Sequence, residues 1–130
     1  MVGILLVTHN GLGDSLADCV RHVLGAVPSN LKVLSVLADD DTSLKLSQGQ
    51  ALIKQLDNGS GVLILADVFG ATPSNIARQL CHAERVVGVA GVNLPMLLRA
   101  VCQPTVTLPE LAKLALEGGR DCIVYMNSDL

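Results

Sequence analysis

Short apolar runs alternate along the chain with segments whose apolar residues recur at helical spacing. The runs are almost continuously apolar, which is typical of parallel strands that helices cover on both faces. Four such strands are predicted, at residues 2–7, 31–37, 61–66 and 85–91. A fifth run, at residues 121–126, is more amphipathic and is predicted to form a strand at an edge of the sheet.

The segments between the strands are predicted to be helices with recognisable ends. The apolar face of the first consists of Leu16, Val20, Val23 and Leu24, and that of the second of Leu44, Ala51, Leu52 and Leu56. Gly25 is predicted to end the first helix, and residues 57–59 the second. Thr72 followed by Pro73 predicts the start of a third helix, with threonine as the capping residue and proline at the first helical position.

Two further helices, at residues 95–102 and 108–116, complete the pattern, and Gly118-Gly119 is predicted to close the second. Strands and helices therefore alternate, which indicates a doubly wound α/β fold with a mostly parallel sheet and helices on both faces. The chain has 130 residues, half of them hydrophobic, which is enough for one core and predicts a single domain. Ligands of such sheets bind beyond the carboxyl ends of the strands, here at residues 8–13, 38–42, 67–72 and 92–94.

His9 and Asp67 directly follow the first and third predicted strands. If these strands are neighbours, as in the flavodoxin-like strand order, the two side chains lie side by side. A carboxylate bonded to one ring nitrogen would fix the tautomer of the imidazole and leave the other nitrogen free as a nucleophile. By contrast, no chemical role is predicted for His22, which lies off the apolar face of its helix, or for His82, in a polar turn.

Residues 70–72 are predicted to form an anion site. The backbone N–H groups of Gly70 and Ala71 and the hydroxyl of Thr72 would lie at a helix N-terminus, where an anion is favoured. A nucleophile, an orienting acid and an anion cradle then converge, which favours phosphoryl transfer to or from histidine over hydrolysis. The aspartates at residues 39–41 are predicted to form a solvated turn, with Asp41 or Thr42 capping the next helix, rather than a metal site.

Composition argues against several other classes of function. A net charge of −3, no basic stripe and only one tyrosine and one phenylalanine disfavour nucleic-acid binding. No apolar run approaches the roughly 20 residues that a bilayer span needs, and no basic residue precedes the first run as in a signal peptide. The four cysteines are widely spaced and are predicted to be buried free thiols in a reducing cytosol.

Three segments stand out in combination: the dipeptide Thr8-His9, the sequence DVFGATPSN at residues 67–75, and GVNLPML at residues 91–97. Together they resemble the mannose-type enzyme IIA component of the bacterial sugar phosphotransferase system. The resemblance extends over nearly the whole chain and identifies residues 1–130 as a single domain of this mannose, fructose and sorbose family. One departure is Asn10, which stands where the family usually has glycine after the histidine, so a different loop shape is expected there.

The resemblance implies a role for each site residue. In that family the histidine after the first strand accepts a phosphoryl group from the phosphocarrier protein HPr and donates it to a IIB component. His9 is therefore implied to be the phosphorylated residue, Asp67 to orient its ring, and Thr72 to contact the phosphoryl group beside Gly70 and Ala71. No metal ion or organic cofactor is required, because the partner proteins supply both donor and acceptor. Phe69 is either a partner contact or a core residue, and the sequence favours neither.

The resemblance also implies an oligomeric state and a cellular location. Family members are usually homodimers with a flavodoxin-like sheet, sometimes with an exchanged C-terminal strand. We expect a cytoplasmic phosphotransferase that does not insert into the membrane. It would dock to a permease complex during sugar uptake, or would act in the regulation of sugar uptake. The alternatives are a phosphoryl-donor subunit for a dihydroxyacetone kinase and a flavodoxin-like cofactor-binding module. A response-regulator receiver fits less well, because only Asp67 matches its pattern of acidic residues.

Overall fold

A parallel sheet of four strands lies at the centre of the protein. The computed structural model describes residues 1–103 and 105–127. Its strands are β1 (Gly3–His9), β2 (Leu31–Val36), β3 (Val62–Ala66) and β4 (Val86–Ala90). They are hydrogen-bonded in the order β2-β1-β3-β4, and every neighbouring pair is parallel. The predicted doubly wound α/β fold is confirmed, and the first four predicted strands agree with the observed ones within two residues.

Five helices in the described part of the chain cover both faces of this sheet. They are α1 (Leu12–Leu24), α2 (Thr42–Leu56), α3 (Thr72–Leu80), α4 (Leu94–Val101) and α5 (Leu108–Asp121). Core residues of α1, α4 and α5 pack together on one face, and those of α2 and α3 pack on the other. Because successive side chains of a strand point to opposite faces, Ile4 and Leu6 belong to the first cluster, and Leu5 and Val7 to the second. Burial on both faces explains why the strand sequences are continuously apolar.

The predicted helix faces are only partly correct. Val20 and Leu56 are buried, but Val23, Leu24 and Leu44 are exposed. Helical periodicity indicates which side of a helix faces the core, but not how far along its length the sheet covers it. The helix ends were predicted better. Gly25 ends α1 in the left-handed conformation (φ 89°), as predicted. Helix α3 begins at Thr72, but the predicted cap is wrong by one residue, because Ala71 is the N-cap and Thr72 and Pro73 are the first two helical residues.

The prediction for the C-terminal region is wrong. The helix expected to end before Gly118-Gly119 continues to Asp121, and residues 122–127 form no strand. Both glycines are buried where α4 approaches α5. A Cβ atom on Gly119 would lie 2.6 Å from Met96 Cε, and one on Gly118 would lie 3.0 Å from Arg99 Cδ. These glycines therefore allow two helices to pack closely instead of ending one.

The four cysteines also differ from expectation. All four are free thiols, as predicted, but they are exposed rather than buried. Partial burial still raises the pKa of the Cys81 thiol above its ordinary value, because the desolvated thiolate is disfavoured. In residues 1–103 and 105–127, no helix combines the length and apolarity that crossing a membrane would require.

Candidate active site

His9 and Asp67 meet at the carboxyl edge of the sheet. Strand β1 pairs with β3, and the register places Val7 opposite Ala66, so the two loops that follow start side by side. The His9 ring atom Nδ1 lies 2.8 Å from Asp67 Oδ2, and the backbone N–H of His9 donates to the same oxygen at 2.9 Å. The predicted contact between these residues is confirmed. One carboxylate oxygen thus holds both the main chain and the ring of His9.

The carboxylate of Asp67 is ionised at neutral pH. Burial alone would raise its pKa, but hydrogen bonds from the His9 backbone and ring and from the Val68 N–H outweigh this and hold the pKa below its ordinary value. An ionised carboxylate can only accept hydrogen bonds, so Nδ1 of His9 carries the proton. In the neutral ring, Nε2 then keeps its lone pair. The side chain of His9 is 46% exposed and that of Asp67 only 8%, so the base is accessible while its partner is covered.

His9 is the last residue of β1 rather than the first residue after it as predicted, and hydrogen bonds within the fold hold this end of the strand. Thr8 is fully buried, and its hydroxyl accepts a hydrogen bond from the Gly13 N–H at 2.8 Å. The Asn10 N–H donates to the Val36 carbonyl at 3.0 Å. Asn10 has a φ of 46°, in the left-handed region that glycine adopts most easily and asparagine tolerates better than most residues. The departure at Asn10 is therefore compatible with a turn that suits glycine.

The first turn of α3 contains a polar residue, Ser74, whose contacts the sequence interpretation missed. The hydroxyl of Ser74 accepts hydrogen bonds from the N–H groups of Gly70 and Ala71, at 2.9 and 3.1 Å, and donates to the Ala71 carbonyl at 2.9 Å. These are the two amides that were predicted to hold an anion, and here both already have an acceptor. The sequence did contain a signal for this contact, because a polar residue at the third helical position can form a hydrogen bond back to the start of the helix.

A cavity of about 400 Å³ opens beside His9. Its other walls come from the ends of β1 and β2 and from the first residues of α2 and α3, namely Asn10, Val36, Leu37, Ala38, Asp40, Thr42, Thr72 and Pro73. Thr72 was predicted to lie near His9, and the cavity brings the two together. Thr42 was expected only as a helix cap, and its place in this wall could not be read from the sequence.

The acidic run beside this cavity has a structural role. Asp41 caps α2 by accepting hydrogen bonds from the N–H groups of Ser43 and Leu44, which confirms the predicted cap. Asp40 accepts the Leu37 N–H at 2.7 Å and lies 3.4 Å from Lys45 Nζ. These two carboxylates therefore shape the turn between β2 and α2.

Phe69 is not a core residue. It is 70% exposed on the loop after β3, and the Arg78 guanidinium lies 5.9 Å from the centre of its ring. The neighbouring Val68 is also exposed. A loop with two exposed apolar side chains next to His9 presents a surface that a protein partner can cover.

Comparison with known proteins agrees with this geometry. The family model described as "PTS system fructose IIA component", EIIA-man, matches residues 3–114. The chain belongs to the EIIA-man family. The resemblance inferred from its motifs is thereby confirmed, and this EIIA-man chain is a phosphotransferase-system IIA component of the mannose and fructose type.

Curated relatives of the EIIA-man chain differ in how much of their length it covers. It is 28% identical to the "PTS system mannose-specific EIIAB component" of Escherichia coli (strain K12) over 123 residues, which are 92% of this chain but 38% of that protein. It is also 28% identical to the "PTS system fructose-specific EIIA component" of Bacillus subtilis (strain 168), over 78% of this chain and 69% of that protein. The chain thus spans well under half the length of the mannose-specific relatives.

Solved structures show the same fold. The mannose/sorbose-specific IIA subunit from Enterococcus faecalis superimposes with a TM-score of 0.85 at 24% identity, covering 97% of this chain and 95% of that one. The EIIA component from Streptococcus agalactiae gives a TM-score of 0.80 at 21% identity, covering 96% and 97%. The EIIA-man chain therefore has the fold of these IIA components over nearly its full length.

Proposed function

We propose that this IIA component accepts a phosphoryl group from phosphorylated HPr on Nε2 of His9 and passes it to a IIB component. In the first step the Nε2 lone pair forms a bond to phosphorus while the bond from phosphorus to the donor atom of HPr breaks, and that atom keeps the electron pair. In the second step an acceptor atom of the IIB component attacks the same phosphorus and Nε2 leaves. The contact between His9 Nδ1 and Asp67 Oδ2, at 2.8 Å, is the observation that carries this proposal.

Asp67 is proposed to act on both steps through charge. When Nε2 bonds to phosphorus, the ring gains positive charge while Nδ1 keeps its proton. An ionised carboxylate that is already in place stabilises that charge without reorganisation, which lowers the barrier. Because Asp67 is largely covered, water screens this interaction little.

Thr72 is the proposed contact for the phosphoryl group itself. It shares the cavity with His9 and is the first residue of α3, where the helix dipole favours negative charge. The amides of Gly70 and Ala71 were predicted to join it. They would have to leave Ser74 Oγ first, so the hydroxyl of Thr72 ranks before them as the phosphoryl-binding group.

The partner proteins are proposed to dock on exposed apolar side chains at this edge of the sheet, at the start of α1 and in the loops after β2 and β3. These are Leu12, Leu37, Val68 and Phe69. Their burial in a complex would exclude water from the phosphoryl group and protect it from hydrolysis. A cytoplasmic protein that meets its partners at this edge, and reaches the permease complex without entering the membrane, fits this arrangement.

A homodimer is proposed on separate grounds. Strand β4 is at one edge of the sheet, and an apolar groove beside it is lined by Ile64, Ala66, Val89 and Ala90 among others. Residues 123–126 are apolar and 63–94% exposed after α5. We propose that this segment of one chain adds to the β4 edge of a second chain, as the exchanged strand in family members implies. Both the unpaired edge and the exposed apolar segment would then be covered.

The decisive experiment is phosphorylation in a reconstituted system. With enzyme I, HPr and labelled phosphoenolpyruvate, the wild-type protein is expected to gain label on His9, and a IIB component is expected to remove it. His9→Ala should gain no label and keep its fold, because the side chain is 46% exposed at the end of β1. The exposed histidines 22 and 82 provide matched controls, since His22→Ala and His82→Ala should label normally.

Two results would contradict the proposal. One is undiminished labelling of His9→Ala. The other is label that survives acid but is lost in base. That pattern would indicate a phosphoester of Thr72 or Ser74, because a phosphohistidine is acid-labile and base-stable.

A further inference from the structure

The side chain of Ser74 links the first turn of α3 to the loop that precedes this helix. Its hydroxyl bridges back from the first turn of α3 to two preceding amides and one carbonyl, all within 3.1 Å. The residue is only 2% exposed, so water cannot replace these bonds. Ser74 is therefore the internal support of the loop that runs from Asp67 to Thr72.

The local sequence makes such a support necessary. The N-cap of α3 is Ala71, which has no polar side chain to bond the first amides of the helix. Gly70 has a φ of 88°, so the chain reverses just before the helix and brings its amide toward Ser74. A hydroxyl at the third helical position takes the place of the missing cap, as in one half of a capping box.

The supported loop has a functional group at each end. Asp67 lies three residues before Gly70 and holds His9 through Oδ2. Thr72 directly follows Ala71 and lines the cavity beside His9. The two residues that Ser74 holds therefore lie between the group that orients the nucleophile and the group proposed to bind the phosphoryl group.

We infer that Ser74 is a positioning residue of the phosphoryl-transfer site, which sets the relative placement of Asp67 and Thr72 around His9. This inference rests on the proposed function. It also implies that the amides of Gly70 and Ala71 stay on Ser74 during transfer and are not phosphoryl ligands. Loss of the Ser74 hydroxyl should then slow transfer at saturating donor by about tenfold to a hundredfold, while the half-saturating concentration of phosphorylated HPr stays unchanged.

The test compares Ser74→Ala with a control that weakens α3 without touching the loop. Ile76→Val removes one buried methyl group from the core face of the same helix. A second control, Ser47→Ala, removes an exposed serine hydroxyl from α2. Single-turnover transfer from phosphorylated HPr is measured for each variant, together with melting temperature. Ser74→Cys repeats the experiment with a similar volume and a poor hydrogen-bonding group, should Ser74→Ala not fold.

Hydrogen exchange measured by nuclear magnetic resonance provides a second test, because a change in helix stability alone would not alter the exchange of the His9 ring proton. In the wild type, the amides of Gly70 and Ala71 and the Nδ1–H proton of His9 are expected to exchange slowly with water. In Ser74→Ala all three should exchange faster, whereas in Ile76→Val the His9 proton should be unchanged. This measurement needs no phosphoryl donor.

The outcomes separate the two proposals. Slow transfer and a faster-exchanging His9 proton in Ser74→Ala alone would support the inference. Transfer in Ser74→Ala that falls no further than in Ile76→Val would overturn it, and so would an unchanged His9 proton. If the wild type itself gains no label on His9, the proposed function fails, while the exchange measurement still decides whether Ser74 positions the loop.

Discussion

At the residue scale, one oxygen atom organises the site. Asp67 Oδ2 accepts from both the ring and the backbone of His9, and Oδ1 accepts the Val68 N–H. The carboxylate is thereby fixed at both oxygens before any partner arrives. Preorganisation of this kind is the main means by which a protein accelerates a reaction in which charge develops at a known atom.

Asp67→Asn tests that charge. The amide can still accept one of the His9 hydrogen bonds, but it is neutral and cannot stabilise the positive ring that phosphorylation creates. We expect the rate of transfer from phosphorylated HPr to fall by about tenfold to a hundredfold without loss of fold. Rapid-quench kinetics and circular dichroism measure the two effects, and an unchanged rate would remove Asp67 from the mechanism.

The sequence predicted the pair His9 and Asp67 but not Ser74 or Thr42. The pair follows from topology, because residues that end adjacent parallel strands lie at the same edge. Ser74 acts only because Gly70 reverses the chain, and Thr42 reaches the cavity only because α2 starts beside β1. Such contacts depend on the conformation of loops, which hydrophobic periodicity does not encode.

At the scale of elements, the turn between α2 and β3 is fastened to the start of β4. Asp57 accepts the N–H groups of Gly59 and Gly61 and two hydrogen bonds from Arg85, while Arg85 also donates to the Gly59 carbonyl. The Gly59 amide, followed by the Arg85 guanidinium, holds the pKa of Asp57 below its ordinary value. This fastening lies at the end of the sheet opposite His9.

Asp57→Asn should therefore reduce stability in a pH-dependent way. At pH 7 we expect a loss of about 1 kcal/mol, a modest value because Arg85 is half exposed. A pKa lowered by folding gives stability that is present above the unfolded value, about 3.9, and lost as pH falls through the folded value. The difference between wild type and variant should thus shrink on acidification below about pH 4.

Urea unfolding at about pH 7, 5 and 3 measures this difference. Asp18→Asn serves as the matched control, because Asp18 pairs with Arg21 on the exposed surface of α1 and should contribute little at any pH. A stability difference for Asp57→Asn that does not change with pH would contradict the assigned role of its ionised carboxylate.

Prediction of the elements succeeded where one local signal decided the structure. Gly25 acts within a single turn, and the end of α1 was predicted correctly. Thr72-Pro73 located the start of α3 to within one residue, although Ala71 and not Thr72 is the N-cap. Gly118-Gly119 carried the same local signal as a helix stop, yet contact with Met96 and Arg99 made both glycines part of α5. Packing between helices distant in sequence overrode the local preference. The predicted strand at residues 121–126 was wrong for a different reason, because residues 123–126 are exposed after α5 and pair with no strand among the described residues of this chain.

At the scale of the whole molecule, the proposed dimer joins the β4 edge of one chain to the exposed apolar segment at residues 123–126 of another. Val124→Asp places a charge in the exposed apolar segment and should convert a dimer into a monomer, because a buried unpaired charge is costly. Light scattering coupled to size exclusion measures the mass. Val23→Asp, on the exposed end of α1, is the control and should leave the dimer intact. A monomeric wild-type protein would contradict the proposed dimer.

The whole fold was the most predictable level. Right-handed crossovers between parallel strands leave few topologies to consider, and the flavodoxin-like order that the resemblance implies is the one observed. The partner surface was less predictable, since Phe69 was equally consistent with a core residue until its exposure was seen. Composition shows that an aromatic residue is present, but only the packed structure shows on which side of the loop it lies.

The two hydrogen bonds that Asp67 Oδ2 accepts from the ring and the main chain of His9 have a consequence for the order in which partner proteins bind. Under the proposed function the imidazole keeps one orientation, so HPr and the IIB component would approach the phosphoryl group from the same direction. In the proposed reaction they consequently exclude one another, and no complex of all three proteins forms. The rate of phosphoryl transfer then depends on how rapidly HPr and the IIB component replace one another at the site, and therefore on the ratio of their concentrations.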